Sequence, residues 1–157
     1  MKSSKYSFIL FLLILNLVSA AQVQLPQYPD SLFSTYYHQR VTLFNALPKT
    51  NNDIVFIGNS ITDGGEWSEM FNDLQIKNRG ISGDISAGVL NRIDEVAERK
   101  PAKVFLMIGV NDLARGISAD SVVKNILLIA SYLRQETPST KLFIQSILPV
   151  NDIYNKF

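Results

Sequence analysis

Ile54-Val55-Phe56-Ile57-Gly58-Asn59-Ser60-Ile61-Thr62-Asp63-Gly64 runs from four apolar residues straight into a polar turn bounded by glycines. The apolar part does not alternate with polar residues, which is the pattern of a strand buried on both faces of a parallel sheet. Two further runs repeat it at wide spacing, Val104-Phe105-Leu106-Met107-Ile108 and Leu142-Phe143-Ile144 through Ile147. A weaker strand candidate, Gln75 to Arg79, is more polar and is expected at a sheet edge. Between these runs the pattern turns helical. Ile85, Val89, Ile93 and Val96 share one face, with Asp84 or Ser86 as the expected N-cap. Val122, Ile126, Ile129 and Leu133 share another, in a helix that starts near Ser118 and is ended by Thr137-Pro138. This alternation predicts a three-layer α/β domain built on a parallel sheet.

Upstream, Ser31 to Leu47 reads as a leading helix with Leu32, Tyr36, Val41 and Phe44 roughly on one side, closed by Pro48 and the polar stretch behind it. Ala21 to Asp30 is polar, holds two prolines and reads as a lead-in segment. The first twenty residues stand apart. Lys2 and Lys5 precede the apolar run Phe8 to Leu15, and Val18-Ser19-Ala20 ends it with small residues. That is the order of a secretory signal peptide, so export is expected; the apolar stretch is short for a bilayer span. The chain therefore divides into a signal at 1–20, a lead-in and helix at 21–52, and the α/β domain at 53–157. Downstream, the last strand runs into Leu148-Pro149 with no helical pattern behind it, so a final strand and helix are expected to be missing.

Charge and cysteine content exclude several classes. The 15 basic residues less Lys2 and Lys5 leave 13 against 14 acidic, a net charge of −1 after signal removal. A nearly neutral domain offers no electrostatic footing for nucleic acid or acidic membranes. With no cysteine there are no disulfides, thiolate metal sites or cysteine lipid anchors. No His or Cys cluster has ligand spacing, so neither metal nor cofactor is expected.

In open parallel sheets, ligands bind at the carboxyl ends of the strands. Three polar, glycine-containing stretches converge there: Gly58 to Gly64, Asn78 to Asp84, and Gly109-Val110-Asn111-Asp112. Ser60 follows its strand directly and can present its hydroxyl beside backbone N–H groups. Gly83 lets backbone approach a developing oxyanion, and Asn111 offers a side-chain amide. Singly, each has an ordinary structural reading: Ser60 as a helix N-cap, Gly83 as a turn residue, Asn111-Asp112 as an Asx turn. Together they make a nucleophile with converging donors, the minimum for acyl transfer. A phosphate cradle is poorly supported, since Gly58 to Gly64 lacks both the Gly-x-Gly-x-x-Gly spacing and a Gly-Lys-Ser/Thr ending.

The three stretches resemble, in order, the sequence blocks of the SGNH hydrolases, also called GDSL-type esterases and lipases. Gly58-Asn59-Ser60 stands for the family's Gly-Asp-Ser, with Asn59 in place of the aspartate; Asn78 to Asp84 matches Asn-x-Gly-x-x-Gly-Asp, and Gly109 to Asp112 matches Gly-x-Asn-Asp. The likeness spans Asp53 to Pro149. It implies a flavodoxin-like α/β/α fold, with Ser60 as nucleophile. The backbone N–H groups of Ser60 and Gly83 and the Asn111 side chain would form the oxyanion hole. Gly58, Asn59, Asp63, Asn78, Asp84 and Asp112 are expected to support the site, with the aspartates bracing loops and Arg79 and Arg115 available to face substrate. The family's general base is a histidine in a C-terminal Asp-x-x-His block, which is expected beyond Phe157. His38, the one histidine present, reads as an exposed or capping residue of the leading helix.

The expected activity is hydrolysis of carboxylic esters, with small acyl groups such as O-acetyl on carbohydrates as the favoured substrate and lipid esters as an alternative. The competing expectation is a truncated, inactive fragment or non-catalytic binding module, because the base is absent. Oligomeric state is not legible.

Overall fold

A computed structural model describes residues 22–147. The signal peptide read at 1–20 and the stretch from Leu148 to Phe157 lie outside the described residues. Among those described, no helix is long and apolar enough to cross a membrane.

After a 3-10 turn at Asp30–Leu32, the elements are α1 (Thr35–Ala46), β1 (Ile54–Gly58), α2 (Ser60–Asp63), α3 (Trp67–Met70), β2 (Ile76–Gly80), α4 (Ser86–Ala97), β3 (Lys103–Met107), α5 (Val110–Ala114), α6 (Ala119–Glu136) and β4 (Lys141–Ile144). The four strands form one parallel sheet in the order β2-β1-β3-β4. The weak strand is real and sits at an edge, as its polarity predicts. The α/β architecture with a parallel sheet is as expected.

One face of the sheet carries the core. Val55, Ile57, Val104 and Leu106 are fully buried against Val89, Ile93 and Val96 of α4 and Ile129 and Leu133 of α6. The expectation that the strands are buried on both faces needs correction. Phe56, Phe105 and Phe143 point to the opposite face, are in register across β1, β3 and β4, and stack at 4.8 and 4.7 Å between centroids. Trp67 of α3 extends the row, 4.8 Å from Phe56. Phe56 and Phe105 are half-buried and Phe143 is 44% exposed. Because that less covered face carries apolar aromatic residues, the alternation that would reveal it does not show in the sequence. β4 also ends at Ile144 rather than continuing to Ile147, although the Gln145 N–H still bonds to the Leu106 carbonyl.

The leading helix is shorter than expected and turned. Ser34 interrupts it: its backbone is extended and its hydroxyl accepts the Tyr37 N–H at 3.1 Å, an N-cap that starts α1 at Thr35. The buried residues of α1 are Tyr37 and Phe44, while Leu32 and Tyr36 are about 40% exposed. The Tyr37 hydroxyl donates to the Gly88 carbonyl and so fastens α1 to α4. The lead-in segment is tied down at Tyr28, whose backbone N–H and carbonyl both bond to the Asn91 amide.

The start of α4 also differs from expectation. Its N-cap is Ile85, which has no side-chain donor or acceptor. The cap comes instead from a distant residue. Both Asp112 carboxylate oxygens accept the Ser86 N–H, at 3.1 and 3.0 Å, and the Ser86 hydroxyl donates to the same carboxylate at 2.5 Å. A carboxylate at a helix N-terminus satisfies an orphan donor and meets the positive end of the helix dipole. Asp84, the other expected cap, accepts the Ile85 N–H at 2.9 Å.

Candidate active site

β1, β2 and β3 end side by side: Gly58 is the register partner of both Gly80 and Met107. Ser60 lies two residues past the end of β1, Gly83 three past β2, and Asn111 four past β3. The three sequence stretches therefore emerge from one edge of the sheet, the edge where α/β proteins bind ligands.

Ser60 is exposed and is the first residue of α2, not its cap. The cap is buried Asn59, whose side chain accepts the Ile61 N–H at 3.0 Å. An asparagine serves here as well as an aspartate, because the cap needs only an acceptor oxygen. Among the described residues, the Ser60 hydroxyl has no hydrogen-bond partner. β2 can approach α2 closely because residue 80 is glycine; a Cβ there would lie 2.1 Å from the Asp63 nitrogen. Asn78 fixes the same turn from below. Its amide donates to the carbonyls of Thr62, Asp63 and Gly65 at 2.9–3.0 Å, while its oxygen accepts the Gly80 N–H.

Asp63 braces two elements. One of its oxygens accepts from the Ser82 N–H at 3.0 Å, the Ser82 hydroxyl at 2.7 Å and the Tyr36 hydroxyl at 2.9 Å; Arg40 stands 3.7 Å from the other. Burial and this carboxylate raise the Tyr36 phenol above its ordinary pKa. Gly83 follows Ser82 with φ of +80°, a conformation that favours glycine, and the position where a Cβ would sit is open space. Its N–H meets no acceptor among the described residues. The Asn111 amide donates to the Asp84 carbonyl at 2.8 Å, which orients the side chain and leaves its second N–H available.

Asp84 is buried and paired with Arg92, which donates to it at 3.1 and 2.8 Å. Burial pushes the Asp84 carboxyl up, the guanidinium and the Ile85 N–H oppose this, and Asp112 adds to the rise. Arg92 also donates to the carbonyls of Arg79 and Gly58, so one guanidinium holds the ends of β1 and β2. Asp63, Asp84 and Asp112 thus each hold a loop by hydrogen bonds.

Three further residues take these positions. Arg79 does not face the site: it is 4% exposed and its guanidinium bonds to Glu95, which Arg99 shares at 2.6 Å. Burial lowers its pKa, and Glu95 offsets that shift. Arg115 is exposed and turns onto the Gly83 carbonyl at 2.8 Å. His38 caps nothing. Its Nε2 lies 3.2 Å from the Asp30 carbonyl, next to Phe33 and Tyr37. The bracing partners Ser82, Arg92, Ser86 and Tyr36 carry no signal in the sequence, because each acts on a residue 8 to 27 positions away.

The parallel α/β sheet thus brings Ser60, Gly83 and Asn111 to its carboxyl edge. The model of the GDSL-like lipase/acylhydrolase family matches residues 56–156. The chain belongs to that family. It is 29% identical over 103 residues to platelet-activating factor acetylhydrolase IB subunit alpha1 of Bos taurus, a match covering 62% of this chain and 44% of the relative. The crystal structure of a GDSL-like lipase from Bacteroides thetaiotaomicron superposes with a TM-score of 0.60 and 31% identity, over 72% of this chain and 58% of that one. TesA superposes with a TM-score of 0.56 and 28% identity, over 65% and 63%. The chain spans about half the length of the curated relatives it matches.

Proposed function

We propose that the full-length protein is an exported serine hydrolase of carboxylic esters. The carrying observation is the geometry of three ends: a Ser60 hydroxyl and a Gly83 N–H that have no hydrogen-bond partner among the described residues, and an Asn111 amide already oriented by Asp84. Ser60 Oγ attacks the ester carbonyl. The oxyanion is held by the N–H groups of Ser60 and Gly83 and by Asn111. Donors fixed before the reaction cost no reorganisation as charge develops, and each is worth about 10²–10³ in rate. Deprotonation of Ser60 needs a general base. His38 Nε2 lies 3.2 Å from the Asp30 carbonyl, and among the described residues no hydrogen bond joins its ring to Ser60.

Small acyl groups such as acetyl, on carbohydrate alcohols, are the substrate class we favour. In support, a curated relative is named an acetylhydrolase. Export rests on the pattern of residues 1–20.

A serine-reactive phosphonate tests the reading. Full-length protein should be labelled and the Ser60→Ala variant should not, with p-nitrophenyl acetate turned over faster than the octanoate. Absence of labelling in folded full-length protein would refute the assignment. Equal labelling and turnover by residues 21–157 alone would return the base to His38.

A further inference from the structure

Asn111 in α5 and Arg115 at its C-cap stand four residues apart, about one helical turn. Asn111 donates to the Asp84 carbonyl and Arg115 to the Gly83 carbonyl, each at 2.8 Å. Two side chains one turn apart grip two successive carbonyls. We propose that Arg115 is a positioning residue for ester hydrolysis: by holding the Gly83 carbonyl it restrains the Gly83 backbone torsions, so that the N–H on the preceding peptide stays aimed at the oxyanion. This rests on the reading of Gly83 as an oxyanion donor.

The loop geometry shows why such a pin is needed. Gly83 has φ of +80° and, among the described residues, nothing within 4 Å of where a Cβ would sit. Glycine has the widest backbone freedom of any residue; the Asp84 N–H closes the turn onto the Ile81 carbonyl at 3.1 Å, which leaves the peptide carrying the Gly83 N–H restrained only through the Gly83 torsions. Its neighbours are anchored: the Ser82 N–H and hydroxyl bond to Asp63, and the Asp84 carbonyl bonds to Asn111. The Gly83 N–H lies between these anchors, and Arg115 makes the described hydrogen bond to Gly83 itself. The backbone of Arg115 is in turn fixed at the end of α5, its N–H bonding to the carbonyls of Asn111 and Asp112. The residue that offers one oxyanion donor and the residue that aims another therefore move as one rigid turn.

An exposed hydrogen bond of this kind adds little to stability. Its effect is expected in transition-state binding, where a misplacement of about 1 Å costs on the order of 100-fold. In full-length protein, Arg115→Ala should lower kcat by about 10- to 100-fold with little change in KM, and Arg115→Lys should recover part of the loss. The ¹⁵N order parameter of Gly83 should fall from about 0.85 towards 0.6 in Arg115→Ala. An unchanged kcat overturns the proposal. So does a rise in KM alone, which would make Arg115 a substrate-binding residue, or a lower kcat with an unchanged Gly83 order parameter. If the wild type hydrolyses no ester, the functional reading fails, and the order parameter alone decides whether Arg115 holds Gly83.

Discussion

Asp63 accepts both the backbone N–H and the hydroxyl of Ser82, at 3.0 and 2.7 Å, and so joins the end of the Ser60 turn to the loop that carries Gly83. The contact links the ends of β1 and β2, and Asn111 makes the corresponding link from the end of β3. The donors around Ser60 are arranged by loop-to-loop hydrogen bonds, with the sheet supplying only the common edge. The consequences of this scheme can be measured.

Asn111→Ala removes one oxyanion donor and the partner of the Asp84 carbonyl. In full-length protein kcat should fall by about 10²–10³ with KM nearly unchanged. Steady-state kinetics on p-nitrophenyl acetate check this. A loss confined to KM would assign Asn111 to ground-state binding instead.

Asp112→Ala leaves the Ser86 N–H without its acceptor at the buried start of α4. Unfolding free energy should drop by about 2–3 kcal/mol, read from urea denaturation. Asp112→Asn, which keeps an acceptor oxygen, should recover part of this. Identical losses in both variants would point to the charge and its interaction with the helix dipole.

Gly80→Ala places a methyl group 2.1–2.6 Å from main-chain atoms of Thr62 and Asp63. Backbone cannot rotate away as a side chain can, so α2 must shift, at a cost of about 1–3 kcal/mol. Both the melting temperature and the rate of Ser60 labelling by a phosphonate should fall. A normal labelling rate would show that the nucleophile turn tolerates displacement.

Tyr37 is 5% exposed, and burial with the nearby Asp84 carboxylate raises its phenol well above the ordinary 10.0, against the opposing charge of Arg92. The folded protein then holds this proton at pH values where the unfolded chain has lost it. Its contribution to stability is complete below pH 10 and is lost as pH rises beyond it. Urea midpoints between about pH 8 and pH 11 should decline less steeply in Tyr37→Phe than in wild type. At neutral pH the same variant should lose about 1 kcal/mol with the hydrogen bond to Gly88.

Much of this site is legible from local pattern. Ser60, Gly83 and Asn111 each follow a strand within four residues, and strand-then-turn is a short-range signal. The fastening of those loops is not legible. The bonds Asp63–Ser82, Asp112–Ser86 and Arg115–Gly83 span 19, 26 and 32 residues and exist only once the crossovers have set the strand order. The cap of α4 escapes a local reading for that reason: the nearby polar residues are Asp84 and Ser86, whereas the acceptor, Asp112, comes from α5. Arg79 misleads similarly, since its burial depends on Glu95 across the β2–α4 turn and on Phe44, whose ring it overlies at 4.6 Å. The turned face of α1 follows from Ser34, whose capping role is visible only from its backbone angles.

Trp67 is the one tryptophan in the sequence. Its ring lies against Phe56 in the sheet, and its indole N–H donates at 2.7 Å to the Thr62 carbonyl, two residues past Ser60. The protein thereby carries an intrinsic optical reporter wired to the nucleophile turn. Opening that turn would break the indole hydrogen bond and wet the ring, so the emission spectrum should shift on displacement of Ser60 without any label being attached.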